Sequence, residues 1–178
     1  DMVSRGLGDV YKRQDYHIPI GNLLKIFRKN EKDFNQKSWL KVNNNFKDYI
    51  SKEFSILPKN NLKIGISWKT SNERESIKRS VDLFSILNKI QNKKISFINL
   101  QYGDVLNEIE AAKRILKINI LNLKKISNYN DIDGLLQIMF KCDVVISIDN
   151  TTIHLASAIG KDTRALIPFS SDFRWGLK

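Results

Sequence analysis

A chain of 178 residues with 42% hydrophobic and 28% charged residues has the apolar content for one well-buried core and the balance of a soluble globular domain. No apolar run approaches the roughly 20 residues of a spanning helix, and no charged-then-apolar segment opens the chain, so the expected location is cytoplasmic. The single cysteine, Cys142, has no partner for an internal disulfide and reads as a packed thiol. One cysteine and two scattered histidines give no metal-ligand spacing, so no metal is expected. No other cofactor is expected either.

The formal charge of +11 raises a nucleic-acid reading. The lysines, however, are spread among asparagines and isoleucines and form no single basic tract interleaved with aromatics, so no nucleic-acid partner is expected. A basic surface also suits anionic headgroups, and peripheral association with the inner membrane is carried as an expectation.

In chain order, residues 1–14 come first. Ser4 to Gln14, SRGLGDVYKRQ, is what one reading frame of a common transposase-based sequencing adapter encodes, so residues 1–14 are read as an assembly artefact and set aside. Tyr16-His17-Ile18-Pro19-Ile20 then leads into a basic stretch that ends near Trp39-Leu40. Asn43-Asn44-Asn45 marks a break, after which Phe46, Tyr49, Ile50 and Phe54 recur at helical spacing until Pro58 closes the segment. Beyond it the pattern predicts strands over residues 62–68, 95–100, 118–121, 144–148 and 163–167. Helices are predicted over 81–90, along the apolar positions Val105, Ile109, Ala112 and Leu116, over 132–140, and after Asn150. Strands alternating with helices imply an α/β fold with a parallel, doubly wound, Rossmann-like sheet.

The stretch DVVISIDNTTIHLASAI, from Asp143 to Ile159, carries most of the chemistry. Val144, Val145, Ile146 and Ile148 form the β-branched run of a strand covered on both faces. Asp149, Asn150, Thr151 and Thr152 then supply capping side chains, Ala156, Ser157 and Ala158 let the helix pack close to the sheet, and Gly160 stops it. The free N–H groups and positive dipole end of such a helix face the crevice where open α/β sheets bind ligands, which makes an anion site. Parallel strands all end on one side, so Ser67, Trp68, Lys69 and Thr70 emerge at the same edge. There Lys69 offers a point charge to a bound anion. Gln101, Tyr102 and Gly103 end the next strand and are expected to line the ligand side of the cleft, where Gly103 permits close backbone approach and Tyr102 presents an aromatic face to a base. His154 follows Thr151 on the same side of the first helical turn. Each residue also has a plainer reading, as a helix cap, a solvated lysine or a structural histidine.

Four separated motifs in order carry a resemblance: Gly65-Ile66-Ser67-Trp68-Lys69, Leu100-Gln101-Tyr102-Gly103-Asp104, the Asp149 block, and Leu166-Ile167-Pro168-Phe169 through Asp172-Phe173-Arg174-Trp175-Gly176. Together they resemble the carboxyl half of family nine glycosyltransferases, of which heptosyltransferases are the best-known members. The likeness is closer to bacterial proteins that carry tetratricopeptide repeats ahead of such a domain, and it covers roughly residues 15 to 178. Gly6-Leu7-Gly8-Asp9-Val10 imitates the glycine-rich loop that opens the family's amino-terminal domain, a match read as coincidence.

The resemblance implies the C-terminal half of a GT-B fold, cut at both ends. Residues 15–57 would be a remnant of the N-terminal acceptor domain with the interdomain connection, and residues 58–178 the nucleotide-sugar binding domain. It also implies that Asn150, Thr151 and Thr152 with their backbone amides hold the diphosphate, and that Asp149 faces the sugar hydroxyls. Arg79 matches an arginine common in related sequences and would be a second positive contact. Glu108 lies near the position where heptosyltransferases carry a glutamate to the ribose. Asp172, Arg174 and Trp175 are cleft-lining candidates.

The function expected is transfer of a sugar from a nucleotide-diphosphate donor to a glycan or protein hydroxyl, without a metal, in surface glycan or protein glycosylation. By the resemblance, the general base would come from the N-terminal domain and the fragment alone would be inactive. The alternative is a non-catalytic nucleotide-binding or scaffold domain of a tetratricopeptide-repeat protein.

Overall fold

In the computed structural model, which describes residues 16–33, 37–71, 78–169 and 175, the β-branched runs become β1 (Leu62–Ser67), β2 (Ile95–Asn99), β3 (Ile120–Leu121), β4 (Val144–Ile148) and β5 (Asp162–Leu166). All pair in parallel in the order β3-β2-β1-β4-β5. The chain winds outward from β1 to β3, returns to the far side of β1, and winds outward again. This reversal puts a topological switch point between β1 and β4, which run side by side from Ile64↔Val144 to Ser67↔Ser147. The helices are α1 (Ile20–Phe27), α2 (Lys47–Phe54), α3 (Leu83–Ile90), α4 (Leu106–Leu116), α5 (Ile132–Lys141) and α6 (Thr151–Ala158). Asp82 and Asp131 cap α3 and α5, accepting the amides of Ser85 and Gly134 at 2.8 Å each.

The chain divides into two compact units, Asp1–Lys37 and Ser38–Lys178. In the first, α1 buries none of its residues, and the Asp33 carboxylate accepts the amides of Lys29 and Asn30 at 2.8 and 2.9 Å. The adapter-like residues 1–14, together with Asp172 and Arg174, lie outside the described residues.

The second unit holds the whole sheet, and residues 38–57 pack onto it. Trp39 and Leu40 both donate main-chain N–H groups to the Ala158 carbonyl at the end of α6, and Phe46 donates to the Gln137 side chain on α5 at 2.9 Å. Ile50 and Phe54, one helical turn apart on α2, sink into the core, so the apolar spacing read from the sequence is a packing face. Gly160 takes φ +76, a left-handed stop after α6 that a side chain would strain.

Period-two alternation along the strands sorts the core into two clusters, one on each face. Ile64, Ile66, Trp68, Phe97 and Ile120 face α3 and α4, whereas Ile98, Leu121 and Val145 face α2, α5 and α6. Burying each such side chain contributes about 1.5–3 kcal/mol. Gly65 faces the second cluster, because a Cβ there would strike Leu100 and approach the Cys142 sulfur. Among the described residues no helix is long and apolar enough to cross a membrane.

Cys142 is enclosed by that packing, and burial pushes its thiol up to about 12. The folded protein is therefore expected to resist iodoacetamide at pH 8 and to react stoichiometrically once denatured. Mass spectrometry after timed labelling checks this, and rapid labelling under native conditions would show that the sheet opens at β4.

Candidate functional site

Strand β4 ends in polar residues because the chain must satisfy both its last ladder groups and the first amides of α6. Asn150 does this from an extended cap conformation (φ −143, ψ −177). Its Oδ1 accepts the Thr152 amide and lies 2.9 Å from the Ser147 hydroxyl, while its Nδ2 donates to the Ser67 hydroxyl at 2.9 Å. One side chain thus ties the helix cap to the ends of both strands at the switch point.

Ser67 passes the connection to β2. Its hydroxyl donates to Gln101 Oε1 at 3.0 Å, and the same oxygen accepts the amides of Trp68 and Lys69 at 2.8 and 2.9 Å. Gln101 Nε2 donates to the carbonyls of Lys69 and Tyr102 at 2.9 and 3.1 Å. Below it, Asn99 Oδ1 accepts the Gln101 amide at 2.9 Å, and Asn128 donates to the carbonyls of Asn99 and Gln101. A continuous relay of neutral groups, Ser147–Asn150–Ser67–Gln101, therefore crosses the carboxyl edge of the sheet. Its four members are all buried.

Charged groups border this relay. The Lys69 ammonium pairs with Glu108, whose other oxygen accepts the Trp68 indole N–H at 2.7 Å. Arg79 contacts both the carboxylate and the main-chain carbonyl of Asp149, with Nη2 3.2 Å from Oδ2. Asp149 is 3% exposed, and its second oxygen lies 3.8 Å from Nε2 of the exposed His154. A carboxylate so deeply placed requires such a cation beside it, since removing its partner would leave a desolvated charge. His154 also stacks on Trp175, with ring centroids 5.2 Å apart.

The structure brings the sequence-predicted residues to one edge in three settings. Ser67, Gln101, Asn150 and Thr152 are buried, and the side chains of Ser67, Gln101 and Asn150 bond within the relay. Lys69, Arg79, Glu108 and Asp149 form the ion pairs just described. Thr151 and His154 remain exposed on the first turn of α6, where the Thr152 amide is taken by the Asn150 cap. Tyr102 accepts the Ser71 amide at 3.3 Å and meets Tyr129 with centroids 5.9 Å apart, Thr70 donates its amide to Ser80, and Gly103 adopts φ +86. Ser147, Asn99 and Asn128 escaped the sequence reading. The available signal was a polar residue interrupting or closing a buried strand, as in VVISI and ISFIN. Among the described residues no His, Cys, Asp and Glu group is arranged to hold a metal. A separate cavity of about 1100 Å³, bordered by Ile56, Asn61, Lys93, Lys113, Lys117 and the β3 edge, contains none of these site residues.

An open parallel sheet with helices on both faces and a switch point between β1 and β4 defines the Rossmann-like α/β class. Two solved glycosyltransferases share the arrangement. A family 9 glycosyl transferase from Veillonella parvula superposes with a TM-score of 0.61 at 11% identity, covering 82% of this chain and 41% of that one. The ADP-heptose LPS heptosyltransferase II of Escherichia coli gives 0.52 at 14% identity, covering 78% and 43%. The fold is thus similar to that of GT-B glycosyltransferase domains. No family model matches the chain. Among curated proteins, FlbA of Caulobacter vibrioides is 32% identical over 115 residues, which are 64% of this chain and 19% of FlbA.

The relay predicts that Asn150→Ala costs about 2–4 kcal/mol, combining the lost cap with a stranded Ser67–Ser147 pair. Thr151→Ala, on the exposed face, is expected to leave the melting temperature within about a degree or two. Thermal melts of the two variants check the contrast, and equal melts would mean that the cap bonds are not formed in solution.

Proposed function

We propose that residues 58–178 form the sugar-donor binding domain of a glycosyltransferase that moves a sugar from a nucleotide-diphosphate donor to a hydroxyl of a glycan or protein acceptor. The observation that carries this reading is the amino terminus of α6, held by Asn150 at the switch point with Lys69 emerging from the adjacent strand. Backbone amides and a helix dipole there favour the charge that builds on a departing diphosphate. Thr151 and its neighbours hold phosphate, Lys69 adds its charge, Tyr102 and Gly103 border the base, and Glu108 lies on the nucleotide side. Asp149 and His154 face the sugar. Arg79 neutralises Asp149 so that the buried carboxylate does not repel the phosphates.

Fold likeness to the two solved glycosyltransferases supports this class of reaction, and the chain spans 41% and 43% of their lengths. In such enzymes two domains close around donor and acceptor, and orientation with a positioned base supplies much of the rate. The acceptor-side base belongs, in this reading, to the other domain. A second reading is favoured by one observation: Lys69 and Arg79 are each paired with an acid of the same domain, Glu108 and Asp149. A domain of a tetratricopeptide-repeat protein that binds nucleotide without turnover, as a scaffold, would keep the same edge.

Calorimetric titration with adenosine, uridine and guanosine diphosphates tests the anion site. At least one is expected to bind, and Thr151→Glu is expected to abolish that binding while preserving the melt, because a carboxylate in the first helical turn suits the dipole and occupies the phosphate position. Unchanged affinity in Thr151→Glu would remove α6 from the site. The chain alone is expected to bind donor without transferring sugar. Donor consumption with and without candidate acceptors measures this, and steady turnover by the chain would place the base within it.

A further inference from the structure

We infer that Gln101 is a positioning residue, which acts on a bound nucleotide through Lys69 and does not touch the ligand. The inference rests on the nucleoside-diphosphate reading above. Gln101 is 2% exposed and its amide is fully used: Oε1 accepts from Ser67, Trp68 and Lys69, and both Nε2 hydrogens go to the carbonyls of Lys69 and Tyr102. No donor or acceptor is left over for a substrate.

What the amide holds is specific. Strand β1 ends at Ser67, so no ladder partner is available to Lys69, yet its N–H and C=O are both engaged by this one side chain, two residues past the end of β2. Gln101 therefore takes the place of a neighbouring strand for a residue beyond the sheet. The next constraint lies at the other end of Lys69, whose ammonium meets Glu108, itself fixed by the Trp68 indole. Main chain and ammonium are both set before any ligand arrives, which lowers the ordering cost of using the charge. The α6 cap is made by Asn150 itself, through the Thr152 amide, so the contact of Gln101 with the candidate anion site runs through Lys69.

The test is a double-mutant cycle on nucleoside diphosphate affinity with the full chain. Lys69→Ala and Gln101→Met are each expected to weaken binding by about tenfold, with the double variant no weaker than Lys69→Ala alone. Ile50→Val, which thins the core beneath α2 and touches no residue of this edge, serves as the structural control and is expected to keep wild-type affinity at a lowered melting temperature. If Gln101→Met gives no cooperative melt, Gln101→Glu enters the same cycle, since it keeps the acceptor oxygen and loses the bonds donated to the two carbonyls. Additive losses, wild-type affinity in the Gln101 variant, or an equal loss in Ile50→Val would each overturn the positioning role while leaving the nucleotide site standing. Loss in the Gln101 variant with none in Lys69→Ala would equally overturn it. Failure of the wild-type chain to bind any of the three nucleoside diphosphates would remove the site itself, and this role with it.

Discussion

A parallel sheet ends every strand at the same edge, and the main-chain groups just beyond the last ladder bond need partners that the sheet cannot supply. Here the ends of β1, β2 and β4 are stitched by the side chains of Ser67, Gln101 and Asn150, which face one another across the switch point. Everything that looks functional in this chain hangs from that seam. Without it α6 would start without a cap, Lys69 would leave the sheet untethered, and the Trp68 backbone would be stranded at the top of a core cluster.

The seam also explains why the surrounding charges are arranged in pairs. The edge is partly desolvated by the core below it, and an isolated carboxylate at Asp149 would be costly there. Arg79 offsets this cost, while the Lys69–Glu108 pair sits farther out, with both side chains partly exposed and each worth less to stability. Neutral bonds thus set the geometry and ion pairs tune the field. Residues 38–57 contribute from the opposite side by covering α5 and α6, so a stretch that reads as a connection is part of the domain's own core.

The fold was legible because its signals are local. Apolar, largely β-branched runs mark β1 to β4, and the polar cluster around Asn150 marks where α6 begins. Boundaries moved where tertiary context intervened. The predicted strand over 118–121 pairs only at Ile120 and Leu121, since Lys117 ends α4 in a left-handed conformation and β3 has a neighbour on one side alone. The helix expected from residue 81 starts at Leu83 because Asp82 is its cap. The site was legible as an edge and a cap, but not as a set of partners. Ser67 and Asn150 lie 83 positions apart, and Lys69 and Glu108 39 apart. No periodicity says whether a polar side chain at a strand end looks outward to a ligand or inward to another side chain. For Gln101 the sequence suggested the former and the structure shows the latter orientation.

The composition of the relay has one more consequence. Serine, asparagine and glutamine carry no proton that is gained or lost across the physiological range, and their bonds are short-ranged enough to be indifferent to counterions. The framework that aims the amides of α6 therefore keeps its shape from mildly acidic to alkaline conditions and from dilute to concentrated electrolyte. Any response of this edge to ionic strength must come from the outer pairs, Lys69 with Glu108 and Arg79 with Asp149, whose attraction counterions screen while the neutral bonds beneath them stay as they are.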